Sequence, residues 1–217
     1  MTRRLDLAVY LVTDPGLCAA QGLLETVRAA VAGGVSVVQL RDKDAPDAAL
    51  MEQGRALKAA LAGTGVPLIV NDRIAVAAAI GADGAHIGQA DDNVLAARAL
   101  LGPDAILGLS IQTAEHARAC AGLPIDYVGI GPVFATATKA DHAAPLGCAG
   151  LAAVRTATRL PAVAIGGLTA DHAACVLDAG CDGLAVVSAV CGTQDPQAAA
   201  AGLRRAVDQH RRRPEPT

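Results

Sequence analysis

The stretch "VVQLRDK" places an amide and two cations at alternate positions of a short run. Side chains alternate along an extended strand, so Gln39, Arg41 and Lys43 share one face. Leu40 and Asp42 then occupy the other face. Two cations at a strand end are costly in a core and well suited to holding an anion. The alternative is a surface pair held by nearby acidic side chains.

Side chains that carry oxygen gather in two later segments, "IVNDR" and "HIGQADD". These supply Asn71 and Asp72, followed by Gln89, Asp91 and Asp92. Asp72 and one of the later aspartates have the oxygen ligands that Mg²⁺ prefers. Helix capping is the competing interpretation: it suits Asp92, just before "NVLAARALL", and could account for Asp72.

The segment "GPVFATATKADH" follows the apolar run "DYVGI" and brings Thr136, Thr138 and Lys139 close together. Ser110 ends another apolar run, "AILGLS", and His86, among small residues, is interpreted as a packed side chain rather than a ligand. We find no Ser-His-Asp order or activated cysteine, so covalent nucleophilic catalysis is not indicated.

Two predicted strand ends near the C-terminus, "AIGG" and "AVVSAV", suggest a phosphate site. Each precedes a predicted helix, where backbone N–H groups are exposed. In parallel barrels the loops after the seventh and eighth strands often bind a phosphate. Together with the cations, this favours a diphosphate on one side of a site and a monophosphate on the other.

The elements that must position these residues alternate between short apolar runs and alanine-rich amphipathic segments. Strands are predicted at 7–12, 35–40, 67–70, 84–88, 105–110, 126–130, 162–166 and 183–188. Helices are predicted near 20–32, 47–62, 73–80, 92–101, 113–121, 149–158, 170–179 and 195–212. Eight strand and helix pairs predict a single α/β domain, a (β/α)₈ TIM barrel over 1–209 with its active site at the C-terminal ends of the strands. An open doubly wound sheet is the alternative, and residues 210–217 are predicted to form a solvated tail.

A repeated turn supports this organisation. A Gly-x-Asp-Gly sequence containing Asp83 recurs around Asp182. Glycine favours a left-handed helix end, and aspartate holds a turn before a strand, so we expect structural roles for both aspartates.

Composition narrows the class of protein. Of 217 residues, 53% are apolar and 18% charged, which is typical of a folded globular domain. The net charge of −3 and the 1% aromatic content disfavour nucleic-acid binding. No apolar run reaches the roughly 18 residues of a membrane span.

Because the cysteines form no C-x-x-C pair, we expect them reduced, without a disulfide or zinc role, in a cytoplasmic protein. They are Cys18, Cys120, Cys148, Cys175, Cys181 and Cys191.

Taken together, these segments resemble the thiamine-phosphate synthase family. The resemblance runs from about residue 8 to 205 and is carried by "YLVTD", "VVQLRDK", "NDR", "GADGAHIGQAD", "GLS", "DYVGIGPVFATATK", "AIGGL" and "VVSAV". It implies a TIM-barrel transferase that joins 4-amino-2-methyl-5-(diphosphooxymethyl)pyrimidine to a (carboxy)thiazole phosphate. The products are thiamine phosphate and diphosphate, formed with one Mg²⁺ through a pyrimidine-methyl cation.

The resemblance also implies residue roles. The pyrimidine diphosphate would be bound by Gln39, Leu40, Arg41, Asp42, Lys43, Asn71, Ser110 and Lys139. The thiazole phosphate would be bound by Thr136, Ala137, Thr138, Gly167, Val187 and Ser188, and Mg²⁺ by Asp72 and Asp91. Catalytic roles would fall to Arg41, Lys43, Ser110 and Lys139. The partners are small phosphorylated substrates, without nucleic acid or membrane, and a homo-oligomer is an open alternative to a monomer.

The chain departs from the family pattern at two places. Ala135 stands where proline is common, and "SIQT" lacks a histidine often found two residues after Ser110. Two other functions stay open: a related thiazole tautomerase, which would not need the cations and the metal, and a non-catalytic sensor of phosphorylated ligands.

Overall fold

The strands close into a barrel in the computed structural model, which describes residues 5–89, 93–136 and 144–212. The strands are β1 (Val9–Val12), β2 (Val37–Leu40), β3 (Leu68–Asn71), β4 (Gly84–Ile87), β5 (Ile106–Ile111), β6 (Tyr127–Ile130), β7 (Ala162–Ile165) and β8 (Gly183–Val186). All neighbouring pairs are parallel, and β1 pairs with both β2 and β8. The predicted TIM barrel is confirmed, and the open sheet is excluded.

The helices surround the barrel between successive strands. They are α1 (Pro15–Cys18), α2 (Leu23–Ala32), α3 (Asp47–Leu61), α4 (Ile74–Ile80), α5 (Val94–Leu101), α6 (Ala114–Ala119), α7 (Gly147–Arg155), α8 (Ala173–Asp178) and α9 (Pro196–Arg211). A 3₁₀ turn, Ala170–His172, leads into α8. The short α1 was not predicted, and it begins at a cap in which Asp14 accepts a hydrogen bond from Leu17 N–H at 2.9 Å.

The apolar residues form two cores, one inside the barrel and one between the strands and the helices. On β2, Val38 and Leu40 pack in the outer core while Val37 packs in the inner core. On α3, Leu50, Leu57 and other buried residues recur with helical spacing and face the strands. The alternation expected for β2 is therefore confirmed, and it leaves Gln39 facing inward among the barrel residues.

The repeated aspartates fasten the end of the barrel at which the strands begin. Asp83 Oδ2 accepts a hydrogen bond from Leu68 N–H at 2.8 Å, and Asp182 Oδ2 accepts one from Ala162 N–H at 2.8 Å. Asp126 accepts a similar hydrogen bond from Leu107 N–H at 2.8 Å. Its turn lacks the Gly-x-Asp-Gly sequence and was not identified from the sequence. Each aspartate thus accepts a hydrogen bond from the first or second N–H of the preceding strand, and the structural role predicted for Asp83 and Asp182 is confirmed.

The expectation that all cysteines are reduced is wrong for one pair. Cys148 on α7 and Cys175 on α8 form a disulfide, with their Cα atoms 5.6 Å apart. Their separation of 27 positions gives no local sequence signal, and only the packing of adjacent helices brings them together. Cys18, Cys120, Cys181 and Cys191 are free thiols and are buried.

The C-terminal helix extends to Arg211, where the chain was predicted to leave the domain after residue 209. His210 Nε2 lies 3.0 Å from Asp178 Oδ1, so this helix end packs on α8. Residues 213–217 lie outside the described ranges, and the domain boundary and tail stay predictions. Across the described ranges, no helix has the length and apolar character to span a membrane.

We predict that Asp83→Ala lowers the free energy of unfolding by about 1–2 kcal/mol, because Leu68 N–H is buried and would lose its acceptor. Urea denaturation measures the change. Asp104→Ala is the matched control: Asp104 is exposed, and its loss should change stability by less than about 0.5 kcal/mol. Equal effects of the two substitutions would contradict the structural role of Asp83.

Candidate functional site

A cavity of about 440 Å³ opens at the end of the barrel where the strands finish. Residues of every strand region contribute to its wall, as expected for a site at the carboxyl ends of parallel strands. The sequence-predicted residues that line it are Gln39, Arg41, Lys43, Asn71, Asp72, Ser110, Thr136, Gly167, Val187 and Ser188. Asp91, Ala137, Thr138 and Lys139 lie outside the described residues.

Two of the predicted residues do not line the cavity. Leu40 is 1% exposed and packs in the outer core. The Asp42 carboxylate accepts hydrogen bonds from Asp44 N–H at 3.2 Å and Ala45 N–H at 3.1 Å, which folds the loop after β2. Any ligand contact of these two residues would therefore use the backbone.

Thr13 fixes the backbone that carries the first cation. Its hydroxyl accepts a hydrogen bond from Arg41 N–H at 3.0 Å, and its own N–H donates to Gln39 O at 2.9 Å. Thr13 is 1% exposed, so the contact is shielded from water. The sequence pointed to this residue through "YLVTD" but gave it no role.

Arg73 holds the rest of the same loop. Its guanidinium donates to Lys43 O at 3.1 Å and to Ala45 O at 3.3 Å, and it forms an ion pair with Asp47 at the start of α3. A guanidinium suits this task because its several N–H donors diverge in a fixed plane. The arginine of "NDR" therefore positions the loop after β2.

Asp72 adopts a backbone conformation that is uncommon for a residue with a side chain. Its φ is +59°, in the left-handed region that aspartate tolerates better than most residues. Its N–H donates to His86 O at 2.9 Å, and Asn71 Nδ2 donates to its Oδ2 at 2.6 Å. Strain of this kind is tolerated where surrounding structure fixes the backbone, which often happens at functional sites.

Helix capping does not explain the acidic residues as the sequence suggested. The N-cap position of α4 belongs to Arg73, one residue after Asp72. The cap of α5 is Asn93, whose side chain accepts from Leu95 N–H at 2.8 Å, so the alternative interpretation that Asp92 caps this helix is wrong. Asp92 itself lies outside the described residues.

The described part of the chain holds no cluster of three or more histidine, cysteine, aspartate or glutamate residues that would enclose a metal. Mg²⁺ commonly binds through one or two carboxylates and completes its shell with water and substrate phosphates. Asp72, at the cavity with Arg41 and Lys43, meets that requirement. The donor set therefore fits a magnesium ion that is shared with a phosphorylated ligand.

The floor of the cavity is a row of hydrogen-bonded side chains that the sequence did not predict. Gln39 Nε2 lies 2.9 Å from the Tyr10 hydroxyl, which lies 2.7 Å from the Tyr127 hydroxyl. His86 Nδ1 lies 2.9 Å from the Tyr127 hydroxyl, and His86 Nε2 lies 2.9 Å from Ser110 Oγ. Burial raises the pKa of both tyrosines, so each keeps its hydroxyl proton. His86 is buried, as predicted, but it also lines the cavity.

Two polar residues near Ser110 were also not identified from the sequence. Gln112, in the segment that departs from the family pattern, lines the cavity. His116 on α6 lines it as well, and its Nδ1 is buried without a hydrogen-bond partner among the described residues. Gln112 directly follows β5, which ends one residue later than the predicted strand, and His116 lies within α6, which a search of strand ends does not reach.

The glycine pair after β7 packs against the loop after β6. Gly166 and Gly167 have φ values of +105° and +63°, which favour glycine. Phe134 N–H donates to Gly166 O at 3.0 Å, and a Cβ on Gly167 would lie 2.4 Å from Ala135 O. The pair therefore permits close contact between two loops as well as lining the cavity.

The turn after β8 also lines the cavity. Val187 and Ser188 contribute to its lining, and Val187 O accepts hydrogen bonds from the N–H groups of Val190 at 3.1 Å and Cys191 at 2.8 Å. The two loops predicted to hold a phosphate thus follow adjacent strands, β7 and β8, and β1 separates them from the loop with Arg41 and Lys43.

Known proteins are similar to this chain in sequence and in fold. A family model described as "Thiamine monophosphate synthase" matches residues 9–190. The chain is 51% identical to the thiamine-phosphate synthase of Azorhizobium caulinodans over 98% of this chain and 100% of that protein. It is 55% identical to that of Xanthobacter autotrophicus, over 95% and 98%. The solved thiamine phosphate pyrophosphorylase of Pyrococcus furiosus is 34% identical, with a TM-score of 0.85 over 95% of this chain and 98% of that one.

Thr13→Val is expected to raise the Kd for inorganic diphosphate by about 3- to 10-fold, since Arg41 N–H would lose its acceptor. Isothermal titration calorimetry in the presence of Mg²⁺ gives the Kd. Thr13→Ser keeps the hydroxyl and is the control, for which the affinity should stay near that of the parent protein. Equal losses in both variants would show that Thr13 acts through packing alone.

Proposed function

The chain belongs to the thiamine monophosphate synthase family and is a transferase enzyme, and we propose that it forms thiamine phosphate from two phosphorylated substrates. One substrate is 4-amino-2-methyl-5-(diphosphooxymethyl)pyrimidine, and the other is a thiazole phosphate or its carboxylated form. The observation that carries the proposal is that one cavity is lined by two sets of residues suited to phosphate groups. Arg41, Lys43 and Asp72 follow β2 and β3, and the glycine pair and the turn with Ser188 follow β7 and β8.

The proposed reaction exchanges one bond for another at the pyrimidine methylene carbon. The bond from that carbon to the diphosphate oxygen breaks, and its electron pair leaves with diphosphate. The resulting pyrimidine-methyl cation is attacked by the lone pair of the thiazole nitrogen, which forms the new carbon–nitrogen bond. With the carboxylated thiazole, the carboxylate then leaves as carbon dioxide, and a proton from solvent takes its place on the ring carbon. No oxidant or reductant is needed.

The residues of the chain would favour this reaction electrostatically. Arg41 and Lys43 place positive charge beside the departing diphosphate, and Lys139 is predicted to add a third cation. Arg73 and Thr13 hold the loop on which two of these cations lie. Ser110 and Gln39 would bind the pyrimidine at the cavity floor, while Gly167 and the turn with Ser188 would hold the thiazole phosphate.

Asp72, with Asp91, would hold Mg²⁺. When bound, the ion supplies positive charge that lowers the cost of diphosphate departure.

The alternative functions account for less of the cavity. A thiazole tautomerase would use the phosphate site with Gly167 and Ser188. That function gives no reason for Arg41, Lys43 and Asp72 to line the same cavity. A non-catalytic sensor would bind both ligands without turnover. The proposed cytoplasmic location and the absence of nucleic-acid and membrane partners stay predictions, as does the oligomeric state.

We expect purified protein to release diphosphate only when both substrates and Mg²⁺ are present, and excess chelator should abolish release. An enzyme-coupled diphosphate assay measures this directly. Conversion of the thiazole phosphate between tautomers without diphosphate release would favour the tautomerase. Ligand-induced stabilisation without any product would favour the sensor.

Asp72→Asn should lower kcat by about 100-fold, because the carboxylate that holds the metal would lose its charge. The Mg²⁺ concentration that gives half-maximal rate should rise. Asparagine tolerates a positive φ, so the backbone at this position is preserved. Asp104→Asn, at an exposed site, is the control. Unchanged turnover and metal dependence would remove Asp72 from the metal site.

A further inference from the structure

The row of side chains across the cavity floor contains both tyrosines of the chain. Tyr10 and Tyr127 are 1% and 0% exposed, and His86 is 8% exposed. The row starts at Gln39 on β2 and ends at Ser110 on β5, so it connects two cavity residues through three buried groups. In a chain with so few aromatic residues, both tyrosines serve one hydrogen-bonded row.

The barrel interior makes room for this row at two glycines. Gly108 pairs with His86 on one side and with Tyr127 on the other. A Cβ at Gly108 would lie 2.2 Å from Tyr127 Cζ and 2.4 Å from His86 Nδ1. A Cβ at Gly129 would lie 3.1 Å from His86 Cε1. The imidazole of His86 and the phenol ring of Tyr127 thus occupy the space that side chains at these two positions would need.

The hydrogen bonds of the row have a direction. Gln39 Nε2 donates to the Tyr10 hydroxyl, and Tyr127 is then the one remaining acceptor for the Tyr10 proton within the described residues. A Tyr127 hydroxyl that accepts from Tyr10 has its own proton left to donate, and His86 Nδ1 lies 2.9 Å away. An accepting Nδ1 places the imidazole proton on Nε2, which donates to Ser110 Oγ.

This direction determines what the two ends present to the cavity. Gln39 Oε1 accepts no hydrogen bond from the described residues, and Gln39 lines the cavity, so its oxygen is available to a ligand. Ser110 accepts from His86 and keeps its own proton for donation. Rotating the Gln39 carboxamide by half a turn would reverse every bond in the row, and would exchange the acceptor and the donor.

We infer that Tyr10, Tyr127 and His86 are positioning residues that fix Gln39 as an acceptor and Ser110 as a donor. The inference deepens the proposed function and rests on it for the ligand: an aminopyrimidine has an exocyclic amine that donates and ring nitrogens that accept. A ring with the opposite pattern, such as a pyrimidinone with a carbonyl in place of the amine, would leave Gln39 Oε1 without a donor. The row would thus select the amino form of the substrate.

The tautomer of His86 tests the direction without any substrate. Protein labelled with ¹⁵N in its histidines would be studied by long-range ¹H–¹⁵N correlation, with His86→Gln used to assign the signal. We expect a neutral ring with its proton on Nε2. Any other state of the ring overturns the inference. Because this measurement needs neither turnover nor ligand, its result is independent of whether the proposed reaction occurs.

Two phenylalanine variants test the link to the ligand. Tyr127→Phe removes the donor to His86 Nδ1, so the single tautomer should be lost and the KM for the pyrimidine diphosphate should rise about tenfold. Tyr10→Phe leaves the Tyr127 contact with His86, so the tautomer should be kept while the same KM rises. The KM for the thiazole phosphate should stay within about twofold in both. Parallel changes in both KM values, or an unchanged pyrimidine KM, would overturn the positioning role.

Discussion

Hydrogen bonding of β8 to β1 closes the sheet. The position of the site and the packing beneath it both depend on that closure. A closed ring of parallel strands has no free edge, and it brings all the strand ends to one rim. Residues as distant in sequence as Gln39 and Ser188 therefore line one cavity. Closure also leaves a narrow interior that side chains must fill, which is why glycines appear opposite the tyrosine and histidine rings.

The loops around the cavity are held by residues that do not line it. Thr13 and Arg73 hold the loop with the cations, and the contact of Phe134 with Gly166 joins the loops after β6 and β7. These contacts order flexible surface loops before any substrate arrives. Preorganisation of this kind reduces the reorganisation that binding and catalysis would otherwise require.

The fold and much of the candidate site could be predicted because their signals are local. Periods of two and of about 3.6 residues identify strands and helices, and the end of each strand identifies the rim. The disulfide and the hydrogen bonds of His86 could not be predicted, because they depend on pairs that meet only in three dimensions. The cap at Asn93 is local, but the neighbouring Asp92 offers the same capping chemistry in the sequence. His86 illustrates the limit: its strand and burial were readable, whereas its partners come from β5 and β6.

The aspartate turns at the far end of the barrel separate two tasks of the molecule in space. Asp83, Asp126 and Asp182 anchor the starts of strands, while the cations and hydroxyls lie where strands finish. The length of the strands separates the two ends. Substitutions at the aspartate end would therefore mainly lower the stability of the fold, and with it the abundance of the protein in the cell, rather than its turnover. That end is consequently the place where a protein engineer could exchange loops or attach a fusion partner while the chemistry stays intact.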